Sequence, residues 1–189
     1  MKVLEERIKQ DGVVLPGDVL KVNSFLNHQI DPELMMQVGE EFTRLFKDSR
    51  ITKVLTAEAS GIAPGIMTAY CLKVPMLFAR KKKPSTVTDD VYTAEVYSYT
   101  KKVTNTISVE AKFLSKDDTV LIIDDFLANG EAAKGLISLA EQSGAKVAGV
   151  GVVIEKAFQG GHDWLVKHGY RLEALASIKS FENNQVHFE

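Results

Sequence analysis

Apolar residues along this chain fall into short β-branched runs separated by stretches with helical spacing. The strongest run, Val120-Leu121-Ile122-Ile123, is apolar on both faces and reads as a buried strand of a parallel sheet. Residues 51–56, centred on Val54-Leu55, predict another strand. So do residues 75–79 around Met76-Leu77-Phe78, 146–155 with Val150, Val152, Val153 and Ile154, and 170–175. Between them lie helical patterns. Val3, Leu4 and Ile8 give a first helix that Asp11-Gly12 ends. Asp31 before Pro32 is a helix start with the acid as N-cap, and Leu34, Val38, Phe42, Leu45 and Phe46 keep the spacing to about residue 47. Further helices are expected over 62–73, 131–143 and 161–168. Strands alternating with helices in this way argue for an α/β protein built from βαβ units. Residues 13–22 read as extended and turn-broken, and 23–30 as loop. After Phe78 the alternation breaks. A basic, turn-prone stretch, Arg80-Lys81-Lys82-Lys83, leads into segments 92–99 and 103–109, which predict an antiparallel hairpin turning near Lys101-Lys102. Residues 181–188 alternate around Asn183-Asn184 and predict a closing hairpin. No linker or repeat divides the chain, so a single domain over 1–189 is expected, with an insertion at about 81–110.

Composition narrows the class. At 189 residues the chain is long enough for one well-filled core. A net charge of −2 argues against a nucleic-acid partner. The single cysteine, Cys71, excludes an intrachain disulfide framework and a multi-cysteine zinc site. Charged residues crowd the first ten positions, and no apolar run approaches a membrane span. The expectation is therefore a cytoplasmic protein with no membrane partner. The four histidines are scattered without metal-ligand spacing, and no Gly-x-Ser-x-Gly elbow or Gly-x-x-x-x-Gly-Lys loop occurs. Gly149-Val150-Gly151 lies inside a strand and lacks the turn of a dinucleotide fingerprint.

Four stretches carry candidate chemistry. Asp124 and Asp125 end the strongest strand, and Ala128-Asn129-Gly130-Glu131-Ala132 follow into a helix. Ligands of open α/β sheets bind beyond the strands' carboxyl ends, and the free N–H groups of a helix start suit a phosphate. The two carboxylates would repel a phosphate and should face sugar hydroxyls or a metal; the plainer alternative is a turn that caps the helix. Glu58-Ala59-Ser60-Gly61 is a second strand-to-helix turn, whose small residues allow a ligand close to the backbone or simply a tight turn. Arg80 and Lys81 open the basic stretch, as fixed cations for an anion or as a solvated surface. Lys156 ends the Val152-Val153-Ile154 strand, either as a donor into a pocket or where the strand meets water; Phe126 and Phe158 nearby could stack or pack.

The ordered run of apolar strand, acidic pair and small-residue loop resembles the 5-phosphoribosyl 1-pyrophosphate (PRPP) motif of type I phosphoribosyltransferases. Over nearly the whole chain the resemblance is to bacterial xanthine phosphoribosyltransferases. It is carried by Gly12-Val13-Val14-Leu15, Val19-Leu20-Lys21-Val22, Ser24-Phe25-Leu26-Asn27-His28-Gln29-Ile30-Asp31-Pro32, Ile122 through Gly130, and Ile154-Glu155-Lys156. The resemblance implies the type I phosphoribosyltransferase fold: a parallel sheet core flanked by helices, an antiparallel flexible hood and a small lid from the chain termini. It implies a pentosyltransferase of purine salvage that joins PRPP to N9 of xanthine, giving xanthosine 5′-monophosphate and pyrophosphate. Residue by residue, it implies xanthine contacts at Leu20, Asn27 and Lys156. It implies 5′-phosphate contacts at Ala128, Asn129, Gly130, Glu131 and Ala132, and pyrophosphate contacts at Ala59, Ser60, Gly61, Arg80 and Lys81. Asp124 and Asp125 take the catalytic place at the ribose hydroxyls. Tyr97-Ser98-Tyr99-Thr100-Lys101 is similar to the centre of the hood. Mg2+ is expected to arrive with PRPP, with no organic cofactor, and the assembly implied is a homodimer. A guanine or hypoxanthine phosphoribosyltransferase, or a PRPP-binding regulator without catalysis, are the alternative readings.

Overall fold

A computed structural model describes residues 1–81, 90–98 and 102–189. The chain begins with helix α1 (Lys2–Asp11) and a small antiparallel pair, β1 (Val13–Leu15) and β2 (Val19–Lys21). The expected loop after it contains one wide turn, Asn23–Asn27, with the Asn27 amide bonded back to Val22 O and that of His28 to Asn23 O. Helix α2 (Pro32–Leu45) starts as its sequence predicts: the Asp31 carboxylate accepts from the amides of Glu33 and Leu34. Then come β3 (Lys53–Ala57), α3 (Ile62–Leu72) and β4 (Met76–Ala79). The hairpin follows as β5 (Val91–Ser98) and β6 (Val103–Glu110), in register from Val91↔Glu110 to Ser98↔Val103. Its expected turn, with Tyr99, Thr100 and Lys101, lies outside the described residues, as do Lys82 and Lys83. Strand β7 (Thr119–Leu127), helix α4 (Glu131–Ser143), β8 (Lys146–Lys156), α5 (Gly161–Lys167), β9 (Leu172–Glu182) and β10 (Gln185–Phe188) complete the order. Asn183 and Asn184 both take positive φ in the last turn, the geometry a two-residue hairpin demands.

Six strands form one sheet in the order β10-β9-β8-β7-β3-β4, parallel throughout except for β10. Its two faces are buried by different helices, and the alternation along β7 shows how. Leu121 and Ile123 join one apolar cluster with side chains of α1, α2 and α3; Val120 and Ile122 join the other with α4, α5 and β6. All four are fully buried, worth about 1.5–3 kcal/mol each. The glycines at 149 and 151 have a packing reason. A Cβ at Gly149 would stand 2.6 Å from the Phe46 ring, and one at Gly151 2.7 Å from that of Phe42. The close approach of these two rings, and not a nucleotide turn, accounts for that glycine pair.

Candidate active site

Strands β3 and β7 stay paired as far as Leu55↔Ile122. Beyond that point β3 turns off, its end tied to β4 through Glu58 N–H to Ala79 O at 3.0 Å. Strand β7 runs on to Leu127 with β8 as its partner. The sequence placed a loop directly after the acidic pair; instead the strand continues through both acids and two further residues, because β8 carries the ladder on to Leu127↔Glu155. The one-sided departure of β3 opens a crevice at the carboxyl ends, and Asp124 and Asp125 stand in it.

The crevice is a cavity of about 600 Å³. Asp124, Asp125, Lys156, Lys81, the turn 59–61 and the loop 128–132 all line it, so most of the residues singled out from sequence meet in one place. Leu20, Asn27 and Arg80 are not among the lining residues. Leu20 is buried in the core under the β1–β2 pair. Arg80 is held by its backbone, with bonds in both directions to Ser108 at 2.9 Å. Asn27 touches the cavity through a partner, donating from Nδ2 to Asp125 Oδ2 at 3.1 Å. Phe126 lines the cavity and lies 5.9 Å from Lys156 Nζ, whereas Phe158 packs edge-on against Phe181.

Burial biases the protonation of two groups in this cavity. Asp124 is 6% exposed, with Oδ1 accepting the Asp125 amide at 3.0 Å. Burial first, and then the neighbouring Asp125 charge, push its carboxyl well above the usual range, with Lys81 opposing them. Burial lowers the Lys156 ammonium, against the pull of Asp18. Its Nζ donates to Asp18 O at 2.6 Å, so the turn between β1 and β2 sits on the lysine.

Sequence reasoning named Glu58 within the small-residue turn without giving it a task, and missed the contribution of β6. Glu58 Oε1 accepts the Lys81 amide at 2.7 Å and so fixes the start of the basic stretch to the small-residue turn. Asn105 and Ile107, two apart on β6, face the cavity from the hairpin. The pattern of β6 allowed a hairpin but held no signal for what it would cover.

Comparison with known proteins shows the family to which the chain belongs. The chain is 81% identical over 188 residues to the xanthine phosphoribosyltransferase of Lactobacillus delbrueckii subsp. bulgaricus, with all of both chains covered. It is 73% identical to that of Lactobacillus gasseri and 64% identical to that of Ligilactobacillus salivarius, spanning 98% of each. The chain belongs to the xanthine phosphoribosyltransferase family. No protein-family model matches it. Among solved structures, the adenine phosphoribosyltransferase of Rhodothermus marinus superposes with a TM-score of 0.75 at 25% identity, over 94% of this chain and all of that one. The adenine phosphoribosyltransferase of Leishmania tarentolae gives 0.74 at 21% identity, over 92% and 87%, a likeness of fold. The architecture is thus the type I phosphoribosyltransferase fold. Among the described residues no helix is long and apolar enough to cross a membrane.

Proposed function

We propose that this chain transfers the 5-phosphoribosyl group of PRPP to N9 of xanthine, forming xanthosine 5′-monophosphate and pyrophosphate. The observation that carries the reading is the convergence, in one cavity, of an acidic pair, an amide-rich loop opening α4 and a half-buried lysine. Full-length kinship with proteins named for this activity supports the choice of base.

Each part has a task that its chemistry suits. The amides of 128–132 and the N-terminus of α4 take the 5′-phosphate, since the first N–H groups of a helix lack partners within it. Asp124 and Asp125 accept from the ribose hydroxyls and offset positive charge as C1′ gains oxocarbenium character. Turn 59–61 and Lys81 receive the departing pyrophosphate, whose charge grows as the bond breaks. Arg80 is assigned to the same anion. No covalent protein nucleophile is needed; the chain aligns two substrates and stabilises charge. Asp124 and Asp125 would hold the Mg2+ that accompanies PRPP, and the ion would supply screening of the pyrophosphate charge. Two adjacent carboxylates fit such an ion, which keeps waters and substrate oxygens beside one or two protein ligands. Among the described residues no group of three or more acids, histidines or cysteines offers a closed metal cage.

The base site lies between Phe126 and Lys156. The lysine can donate to O6 of a 6-oxopurine and has nothing to accept from the amine of adenine. Leu20 supports that wall from below, and Asn27, with a donor and an acceptor on one amide, serves the C2 edge. An incoming purine displaces the present partners of Lys156 and Asn27, namely Asp18 O and Asp125. A homodimer is the assembly proposed. The setting proposed is the cytoplasm, because PRPP and the nucleotide product are too highly charged to cross a membrane unaided.

The test is product formation with PRPP, Mg2+ and each of xanthine, guanine, hypoxanthine and adenine. The highest kcat/KM is expected with xanthine and none with adenine. Turnover with no purine, alongside tight PRPP binding, would overturn the assignment in favour of a regulator.

A further inference from the structure

Behind the loop 128–130 stands a polar cluster that the transfer chemistry does not use. Glu155 is 3% exposed although it carries a carboxylate, and it is the sheet partner of Leu127, the last residue before the loop. Its Oε1 accepts from His162 Nδ1 at 2.6 Å, and its Oε2 from Ser177 Oγ at 3.0 Å. Ser177 Oγ also lies 3.0 Å from Glu189 Oε2. A carboxylate cannot donate, so Nδ1 carries the proton in this pair. His162 directly follows Gly161, which is the residue the loop leans on. The Gly161 amide donates to Ala128 O at 2.9 Å. A Cβ at Gly161 would lie 2.5 Å from Ala128 O and 2.9 Å from Gly130 N, so the two backbones touch with no side chain between them.

A backbone contact this close holds its geometry only if Gly161 is itself held. Before Gly161 the partly exposed 157–160 segment is tied back by the Ala157 amide to Ile178 O and the Gln159 amide to Lys156 O, both at 2.9 Å; after it, the first side-chain tie is the His162–Glu155 bond. That bond is charge-assisted, short, and shielded from water on the glutamate side, which makes it stronger than a surface pair. We propose that Glu155 and His162 are positioning residues that set the spacing of the Ala128–Gly130 amides for the 5′-phosphate, acting through Gly161 and never touching substrate.

The inference rests on the reading of 128–132 as the phosphate loop. The 5′-phosphate is remote from C1′ and is gripped alike before and during transfer. Loss of the brace therefore removes uniform binding, which raises KM without lowering kcat.

The experiment measures kcat, KM for PRPP and xanthine, and calorimetric affinity for ribose 5-phosphate, in four variants checked for folding by thermal melting. His162→Ala is expected to raise KM for PRPP and Kd for ribose 5-phosphate about tenfold, with KM for xanthine unmoved and kcat within about twofold. His162→Asn, which keeps a donor near the Nδ1 position, should recover most of the affinity. His168→Ala, on the same helix but bonded to Trp164 O, should leave all values unchanged. Gly130→Ala, which strains a φ of +80° and meets Gly161 Cα, tests the loop itself. If Gly130→Ala weakens ribose 5-phosphate and a folded His162→Ala does not, the brace is refuted and the loop stands. If neither variant changes its binding, the loop reading falls and the brace with it. Equal losses in kcat and both KM values in His162→Ala, unrescued by asparagine, would reduce the pair to general structural support and overturn the proposal.

Discussion

Asp124 keeps a carboxyl among buried groups beside a second acid, and the consequence is a pH-dependent penalty on the fold. Its folded pKa is raised, so the fold favours the protonated form. The stability this lends is complete below the ordinary carboxylate range and is lost as pH rises through the raised value. Each pH unit separating the folded and unfolded values is worth about 1.4 kcal/mol. Asp124→Asn removes the charge and keeps the shape. It should melt higher than the parent at pH 8, with the gap closing toward pH 4, while kcat/KM falls at least tenfold. Thermal melts at the two pH values and steady-state kinetics check both halves; a lower melting point at pH 8 would contradict the account. Base choice is decided at the same scale. An unpaired buried polar group costs roughly 1–3 kcal/mol, enough for about ten- to a hundredfold discrimination. Asn27→Ala should therefore lose xanthine turnover more than guanine turnover, and Lys156→Met should depress xanthine, guanine and hypoxanthine together. Equal losses for every base in Asn27→Ala would make that residue a support for Asp125 and not a selector.

The hairpin β5–β6 is the element whose role depends most on what it rests against. It lies on α4, where a Cβ at Gly135 would stand 2.5 Å from Val96 Cγ2 and 3.1 Å from Ile107 Cδ1. Gln142 adds a second tie, accepting from the Thr93 amide at 3.3 Å and donating to its carbonyl at 2.8 Å. The hairpin is thereby seated on the helix whose N-terminus opens on the cavity, with Asn105 and Ile107 turned to the same cavity. Gly135→Leu would lift it from that seat. Overpacking of this kind costs about 1–3 kcal/mol, and KM for PRPP should rise severalfold because the cavity loses a wall. Ligand should act in the opposite direction: amide exchange over 90–98 and 102–110 is expected to slow when PRPP and Mg2+ are present. Equal protection with and without ligand would count against closure of the hood.

For the molecule as a whole, the outer flank formed by α3 and the edge strand β4 leaves large apolar side chains in water. Tyr70 is 70% exposed, with Ile66 on the same helix face and Phe78 on the strand. A second copy of the chain covering this flank is consistent with the proposed homodimer. Sedimentation should then give a mass near twice 20.9 kDa, and Tyr70→Glu should shift it toward one. A parent protein that sediments as a monomer would remove the dimer from the account.

Much of this was legible along the chain because it depends on neighbours in sequence. Asp31 and Pro32 start α2 through local hydrogen bonding and a preset φ, and the acidic pair with its following loop is a contiguous run. Pattern separated strands from helices because β7 is a short β-branched run buried on both faces, whereas burial in α2 recurs about every 3.6 residues. The sequence by itself thus determined the elements, their alternation and the positions of Asp124, Asp125, the 128–132 loop and Lys156. Tertiary structure alone decided where β3 leaves β7, and with it the crevice. It alone set the Asp18 carbonyl on Lys156, across 138 residues, and Glu155 behind the loop through His162. These are contacts between segments far apart in sequence, fixed by the packing of helices on two faces of one sheet, and no local pattern of residues encodes them.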